Sequence, residues 1–160
     1  MKTLCIIRHS KTEVQQQGQL DFDRQLAKRA YSDAPEIAGQ LKEKKMFPDK
    51  IVSSPAMRAI STARIFAEKL NYDALKIEQN SLIYNASVTT LFKIVRGFDD
   101  NSKTIFLFGH NPGMTMLSNF LCFPPILHLP TSGVVCIDFD VKHWEDVKTL
   151  GGKQRFFISP

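Results

Sequence analysis

Residues 104–112, TIFLFGHNP, run through five residues without a charge and then turn abruptly to glycine, histidine, asparagine and proline. Continuous apolar character of this length marks a strand covered on both faces, as in a largely parallel sheet. A strand that only built a core would end in ordinary turn residues, whereas this one delivers a histidine to its carboxyl end. Pro112 stands where a first-turn proline opens a helix, here through Met114, Leu117 and Leu121. The same order recurs twice upstream. Thr3 to Ile7 reads as a buried first strand ending on Arg8, His9 and Ser10, and KIVS, residues 50–53, leads through SSPAMRA into a helix carrying Ile60, Ala63, Ile65, Phe66 and Leu70.

Around these three units the remaining elements fall into place. Ser32 and Pro35 mark a helix start, with Ile37, Ala38 and Leu41 as its apolar stripe, up to the KEKK run at 42–45. Leu75 to Ile77 is expected as a strand, and Val88 to Val95 as a helix with Leu91, Phe92 and Val95 inward. Residues 10–26, SKTEVQQQGQLDFDRQL, read as an irregular surface loop. GVVCIDFDV and QRFFIS near the end read as strands, with at least one antiparallel pairing. Alternating strands and helices predict an α/β fold, a three-layer α/β/α sandwich on a mostly parallel central sheet, in one domain spanning 1–160.

Composition narrows the function. A chain of 160 residues buries roughly 70% of its extended surface. Cys5, Cys122 and Cys136 are odd in number, far apart and set among apolar neighbours, which predicts reduced, buried thiols in place of a disulfide framework or a CxxC metal site. The segment MKTLCIIRHSKTE reaches charge too early for a signal core, and no run approaches the ~20 apolar residues of a membrane span. A cytoplasmic protein is expected. The net charge of +5 is dispersed along the chain with no nucleic-acid motif beside it, so ordinary solvation or a general attraction for anions is expected in place of nucleic-acid binding, and small phosphorylated ligands fit equally well.

Ligands of such sheets sit outside the carboxyl ends of the strands. The turns IIRHS, VSSPAMRA and LFGHNPG bring Arg8, His9, Arg58 and His110 there. Taken singly, an RH pair is a common surface feature, Arg58 a solvated helix arginine, and GHNPG a tight turn. Taken together, two guanidiniums and two imidazoles describe a site for a dianion, since arginine forks match phosphate oxygens and keep their charge when partly buried.

These motifs resemble the histidine phosphatase superfamily, also called phosphoglycerate mutase-like. Its RHG or RHx is matched by RHS at Arg8 to Ser10, its SPxxRAxxTA by SPAMRAISTA at Ser54 to Ala63, and its GHxP by GHNP at Gly109 to Pro112. The short length and LPTSGV, residues 129–134, look like its SixA-like phosphohistidine phosphatases, and DFDRQLAKRA looks like the superfamily's DxxRPLxxxG with Gln25 and Ala30 substituted; the partner this resemblance implies is a phosphorylated protein carrying phosphohistidine, with a small phosphorylated substrate second. The resemblance implies that His9 is the nucleophile and forms a phosphohistidine, that Arg8, Arg58 and His110 hold the phosphoryl group, that Ser10 and Asn111 bind substrate, and that no metal or other cofactor is needed.

Two further departures bear on the chemistry. Ser10 replaces the glycine of RHG, and where many members carry an acid in an LxE segment this chain reads LIY, Leu82 to Tyr84. An alkoxide leaving group needs a proton in the transition state, worth roughly 10² to 10⁴ in rate, whereas an imidazole leaves phosphorus more readily. The missing acid therefore favours phosphohistidine over sugar phosphates. Glu13, Asp21 and Asp23 are candidate substitutes, although surface ion pairing accounts for them equally. The alternatives are a non-catalytic phosphate- or phosphoprotein-binding module and a small-molecule phosphomonoesterase. Elsewhere, His128 reads as partly buried and structural, His143 as a surface residue, Phe106, Phe108, Phe156 and Phe157 as core, and Ser53 and Ser54 as caps for the Arg58 helix.

Overall fold

The longest apolar runs become the innermost strands of a seven-stranded sheet in the computed structural model, which describes residues 1–160. In chain order the elements are β1 (Lys2–Arg8), α1 (Ala30–Glu43), β2 (Lys50–Ser53), α2 (Met57–Lys69), β3 (Glu78–Gln79), α3 (Val88–Arg96), β4 (Thr104–Gly109), α4 (Gly113–Leu121), β5 (Cys122–Phe123), β6 (Val134–Phe139) and β7 (Gly152–Ile158). Across the sheet they lie β3-β2-β4-β1-β6-β7-β5. Strands β1 to β4 run parallel, and β6 alone is reversed, pairing antiparallel with β1 on one side and β7 on the other. The result is a three-layer α/β/α sandwich on a mostly parallel sheet.

Strand alternation divides the core in two. Leu4, Ile6, Ile105 and Leu107 face Leu91 and Val95 of α3 and Met114, Leu117 and Leu121 of α4. Their neighbours Cys5, Ile7, Phe106 and Phe108 face Ile37 and Leu41 of α1 and Ala63 and Phe66 of α2. Both faces of β1 and β4 are thus covered, which is why their sequences show no polar alternation. Each large side chain buried this way stabilises the fold by about 1.5–3 kcal/mol. All three cysteines are free and buried. No helix is long and apolar enough to cross a membrane.

Three local expectations are corrected. Helix α1 begins at Ala30, and Pro35 lies inside it. Its entry is closed by short-range bonds from Ala30 N to Ala27 O, Tyr31 N to Lys28 O and Ser32 N to Arg29 O, so the proline falls one turn in and removes a single ladder bond. Residues Ala74–Lys76 form a 3₁₀ turn, with Asp73 accepting from Leu75 N, and the neighbouring strand is the two-residue β3. Leu75 points outward, 94% exposed, so apolar character there signals no core. In β7 burial alternates, leaving Phe157 exposed and Phe156 half-buried.

Gly152 opens β7 where a side chain has no room: a Cβ there meets the Ile137 side chain, lies 2.6 Å from Phe139 Cε1 and 3.1 Å from Leu121 O. Gly152→Val is expected to lower stability by about 1–3 kcal/mol. Urea unfolding checks this as a fall in the midpoint with an unchanged m value.

Candidate active site

The strand order sets β4 between β2 and β1, so the turns leaving all three emerge side by side at one edge. Register fixes their depth. Arg8 of β1 is paired with Gly109 of β4, and Ser53 of β2 with Phe108. The next residues along, His9 and His110, stand with ring centroids 5.3 Å apart. Both are 7% exposed.

The first turn is held from three sides. His9 N donates to Gly109 O at 3.1 Å, and His9 O accepts from Ser132 N at 3.2 Å. Ser10 N donates to Thr62 Oγ1 at 2.9 Å, and Thr62 in turn donates to Arg58 O at 2.7 Å, which ties the His9 turn to the helix carrying Arg58. The Ser10 hydroxyl pairs with Ser132 Oγ at 2.6 Å, and both residues are fully buried. Ser132 adopts a left-handed backbone, φ 62°, in the LPTSG segment that enters β6.

The imidazole of His9 has a defined tautomer. Nδ1 lies 2.8 Å from Ser10 O, and a carbonyl only accepts, so Nδ1 carries the hydrogen and Nε2 keeps its lone pair. Burial lowers the His9 pKa to about 4, and the charges of Arg58, Arg8 and Arg24 push the same way, against the Ser10 carbonyl, which raises it. Burial likewise takes His110 to about 3, helped by His9, Arg58 and Arg8. Both rings are neutral at pH 7. His110 Nε2 is 2.8 Å from Ser54 Oγ, while its Nδ1 is buried without a hydrogen-bond partner.

The arginines complete the cluster. Arg8 Nη1 donates to Leu129 O at 3.2 Å and lies 3.3 Å from His128 Nε2, while its Nε is buried without a partner. Arg58, 6% exposed, donates from Nη1 to Asp21 O at 2.7 Å and from Nη2 to Asp21 Oδ2 at 3.0 Å. Its guanidinium carbon lies 5.9 Å from the centroid of the Tyr84 ring, which meets His110 edge-on at 5.5 Å. Chemically, this is an unprotonated imidazole nitrogen among fixed cations, beside the orphaned Arg8 Nε donor.

The structure brings Arg8, His9, Arg58 and His110 to one place. The other two expected residues face inward structural partners: the Ser10 hydroxyl reaches Ser132, and Asn111 donates to Leu129 O at 2.8 Å while its Oδ1 accepts from Thr115 N and Oγ1. Ser53 and Ser54, expected as caps, do not cap α2, whose N-cap is Ala56 without a side-chain bond: the Ser53 hydroxyl donates to Ser54 O at 2.8 Å, and Ser54 Oγ accepts from Ala56 N at 3.2 Å, ordering the turn before the helix, and also reaches His110. His128 departs from its expected partly buried place: it is exposed at the rim beside Arg8. Asp21, Arg24 and Tyr84 were hardest to find from sequence. Asp21 sits in a 3₁₀ turn, Asp21–Asp23, within the polar loop, and accepts from Tyr84 Oη at 2.6 Å, Arg58 and Arg24. Donation from Tyr84, then from Arg58 and Arg24, lowers its pKa to about 2 against a partial desolvation that raises it, so Asp21 is a carboxylate and holds no proton to give. Tyr84 is correspondingly raised by that same carboxylate.

Residues 4–82 match the model of the histidine phosphatase superfamily, branch 1. The fold is similar to that of SixA from Agrobacterium tumefaciens, assigned as a phosphohistidine phosphatase, at TM-score 0.85 and 24% identity over 99% of this chain and 98% of that one. A protein histidine phosphatase SixA complexed with tungstate aligns at TM-score 0.85 and 19% identity, covering 99% and 97%. A mycobacterial glucosyl-3-phosphoglycerate phosphatase aligns at 0.70 and 14% identity, covering 99% of each chain. No curated protein sequence matches.

The two lowered imidazoles make stability depend on pH. Unfolded, each takes up its proton near pH 6.5; folded, they do so at about 4 and about 3. Protons therefore enter the unfolded chain first, and the stability present above pH ~6.5 is lost as pH falls from there towards 4, by at most about 1.4 kcal/mol per unit for each ring. Thermal unfolding followed across this range is expected to show that loss, and a flatter profile in a His9→Asn, His110→Asn double variant.

Proposed function

We propose that this protein, whose residues 4–82 belong to the histidine phosphatase superfamily, hydrolyses phosphohistidine on a protein by passing the phosphoryl group through His9. One observation carries the reading: His9 is locked by the Ser10 carbonyl into the tautomer whose Nε2 lone pair is free, in a pocket that keeps the ring neutral down to about pH 4. A nucleophilic imidazole needs both conditions.

In the first step His9 Nε2 attacks phosphorus. An N–P bond forms to His9 as the substrate's P–N bond breaks, and the leaving imidazole keeps the bonding pair. In the second, water attacks the phosphorylated His9, releasing inorganic phosphate and returning the pair to Nε2. Charge on the equatorial oxygens is met by Arg8 and Arg58, fixed cations already in place and so costing no reorganisation, and by an N–H of His110. The orphaned Arg8 Nε supports its role, since a buried donor of this kind calls for an acceptor.

The leaving group follows from what surrounds the pocket. At the expected acid position Tyr84 donates its hydroxyl to Asp21, and Asp21 is ionised. Neither supplies a proton to an alkoxide at neutral pH. A phosphorylated imidazole needs none. We place this activity in the cytoplasm, where the three free thiols stay reduced.

His9→Ala is expected to abolish phosphate release from a phosphohistidine protein, by on the order of 10³-fold or more, and to leave no acid-labile, alkali-stable phosphate on the enzyme. Arg58→Ala is expected to weaken both binding and rate, by about 10² to 10³ in kcat. Phosphate release together with mapping of the trapped phosphoryl group tests both. Binding without turnover by the intact protein makes it a phosphate-binding module, and an active His9→Ala variant overturns the covalent route.

A further inference from the structure

With no acid in the pocket, something must still make the imidazole a good leaving group. A phosphohistidine ring departs as neutral imidazole only when its distal nitrogen carries a hydrogen as the P–N bond breaks. The bonding pair then stays on the proximal nitrogen, the distal N–H is retained, and no proton moves. Without that hydrogen the ring leaves as imidazolate, a much stronger base and poorer leaving group.

Asp21 stands where it can act on that hydrogen. Its Oδ2 accepts from Tyr84 and Arg58, its Oδ1 from Arg24 Nη1 at 3.3 Å, and its side chain is still 40% exposed. A carboxylate oxygen has about two acceptor sites, so Oδ1 keeps capacity towards solvent. Tyr84 beside it meets both His110, at 5.5 Å, and Phe22, at 5.3 Å, edge-on, and Phe22 is itself exposed. The rim next to the Arg58 fork is therefore a fixed anion flanked by two aromatic rings. For a phosphate ester such an anion is only a repulsion. For a protonated, planar phosphoimidazole it is complementary in charge, in hydrogen bonding and in shape.

Resting on the phosphatase reading above, we propose that Asp21 is the specificity-determining residue of this site: it accepts the distal N–H of the substrate's phosphorylated imidazole, holding that ring in its protonated, easily departing form. An acceptor anion raises the pKa of the ring it touches. The groups facing Asp21 are Arg24 from its own loop, Arg58 from α2, Tyr84 beyond β3 and His110 at the end of β4. Three of them donate to the carboxylate or hold it ionised, and His110 is neutral, so the proton remains on the substrate ring and does not pass to Asp21.

The test compares kcat/KM for a histidine peptide phosphorylated with phosphoramidate against p-nitrophenyl phosphate, from pH 5.5 to 9. In Asp21→Asn the selectivity for the phosphohistidine peptide over the ester is expected to fall about tenfold or more, and the alkaline limb of the peptide profile to move about one pH unit lower. Asp21→Glu is expected to restore part of both. In Tyr84→Phe the carboxylate loses its strongest donor, so its own pKa rises and selectivity is expected to fail at a higher pH on the acid side; this variant answers the question if Asp21→Asn does not fold. Equal losses on both substrates with unmoved profiles overturn the proposal and reduce Asp21 to an anchor for Arg58, while the phosphatase reading stands. A wild-type protein that releases phosphate from neither substrate overturns that reading, and the role of Asp21 with it.

Discussion

Two imidazoles packed 5.3 Å apart, out of water and among guanidiniums, coexist only while both are neutral. That electrostatic constraint organises the site. Adding a proton to either ring sets it against Arg8, Arg58 and the other ring, so the pocket lowers both pKa values and keeps its positive charge on groups that do not titrate. An arriving dianion reverses the balance, since it supplies the negative charge that a protonated His110 needs. The same arrangement that keeps the His9 lone pair free at neutral pH makes the pocket a source of acid sensitivity.

The sheet makes the constraint affordable. β1, β2 and β4 are parallel and adjacent, so their carboxyl ends present three turns within one side chain's length of each other without any long loop having to fold over. Helices α1 and α2 bury one face and α3 and α4 the other, which fixes the strands laterally. Thr62 then links the β1 turn to Arg58 through two hydrogen bonds. Position is set by backbone register first and by buried hydroxyls second.

Sequence reads the first of these well and the second poorly. Continuous apolar strands, their charged ends and the helices behind them follow from composition and spacing, so the parallel core and the convergence of Arg8, His9, Arg58 and His110 were legible. Asp21 was visible only as one of three carboxylates in a polar loop, because nothing in residues 10–26 says which of them folds back 37 positions short of Arg58 to meet it. His128 lies next to apolar Leu127 and Leu129 and so resembled a core residue, yet a short strand followed by prolines turns it outward beside Arg8. Pro35 and Leu75 misled for a similar reason: local preference yielded to where α1 and β3 had to pack.

Ser132 carries a consequence of its own. A left-handed φ of 62° at a residue with a Cβ costs about 1 kcal/mol, and here it lies directly behind His9, its amide on His9 O and its hydroxyl on Ser10. Glycine relieves that torsion but removes the hydroxyl that holds the turn. Relief of backbone torsion and the aim of the imidazole therefore pull on a single side chain in opposite directions, and glycine at this position exchanges a strained but anchored turn for a relaxed and looser one behind His9.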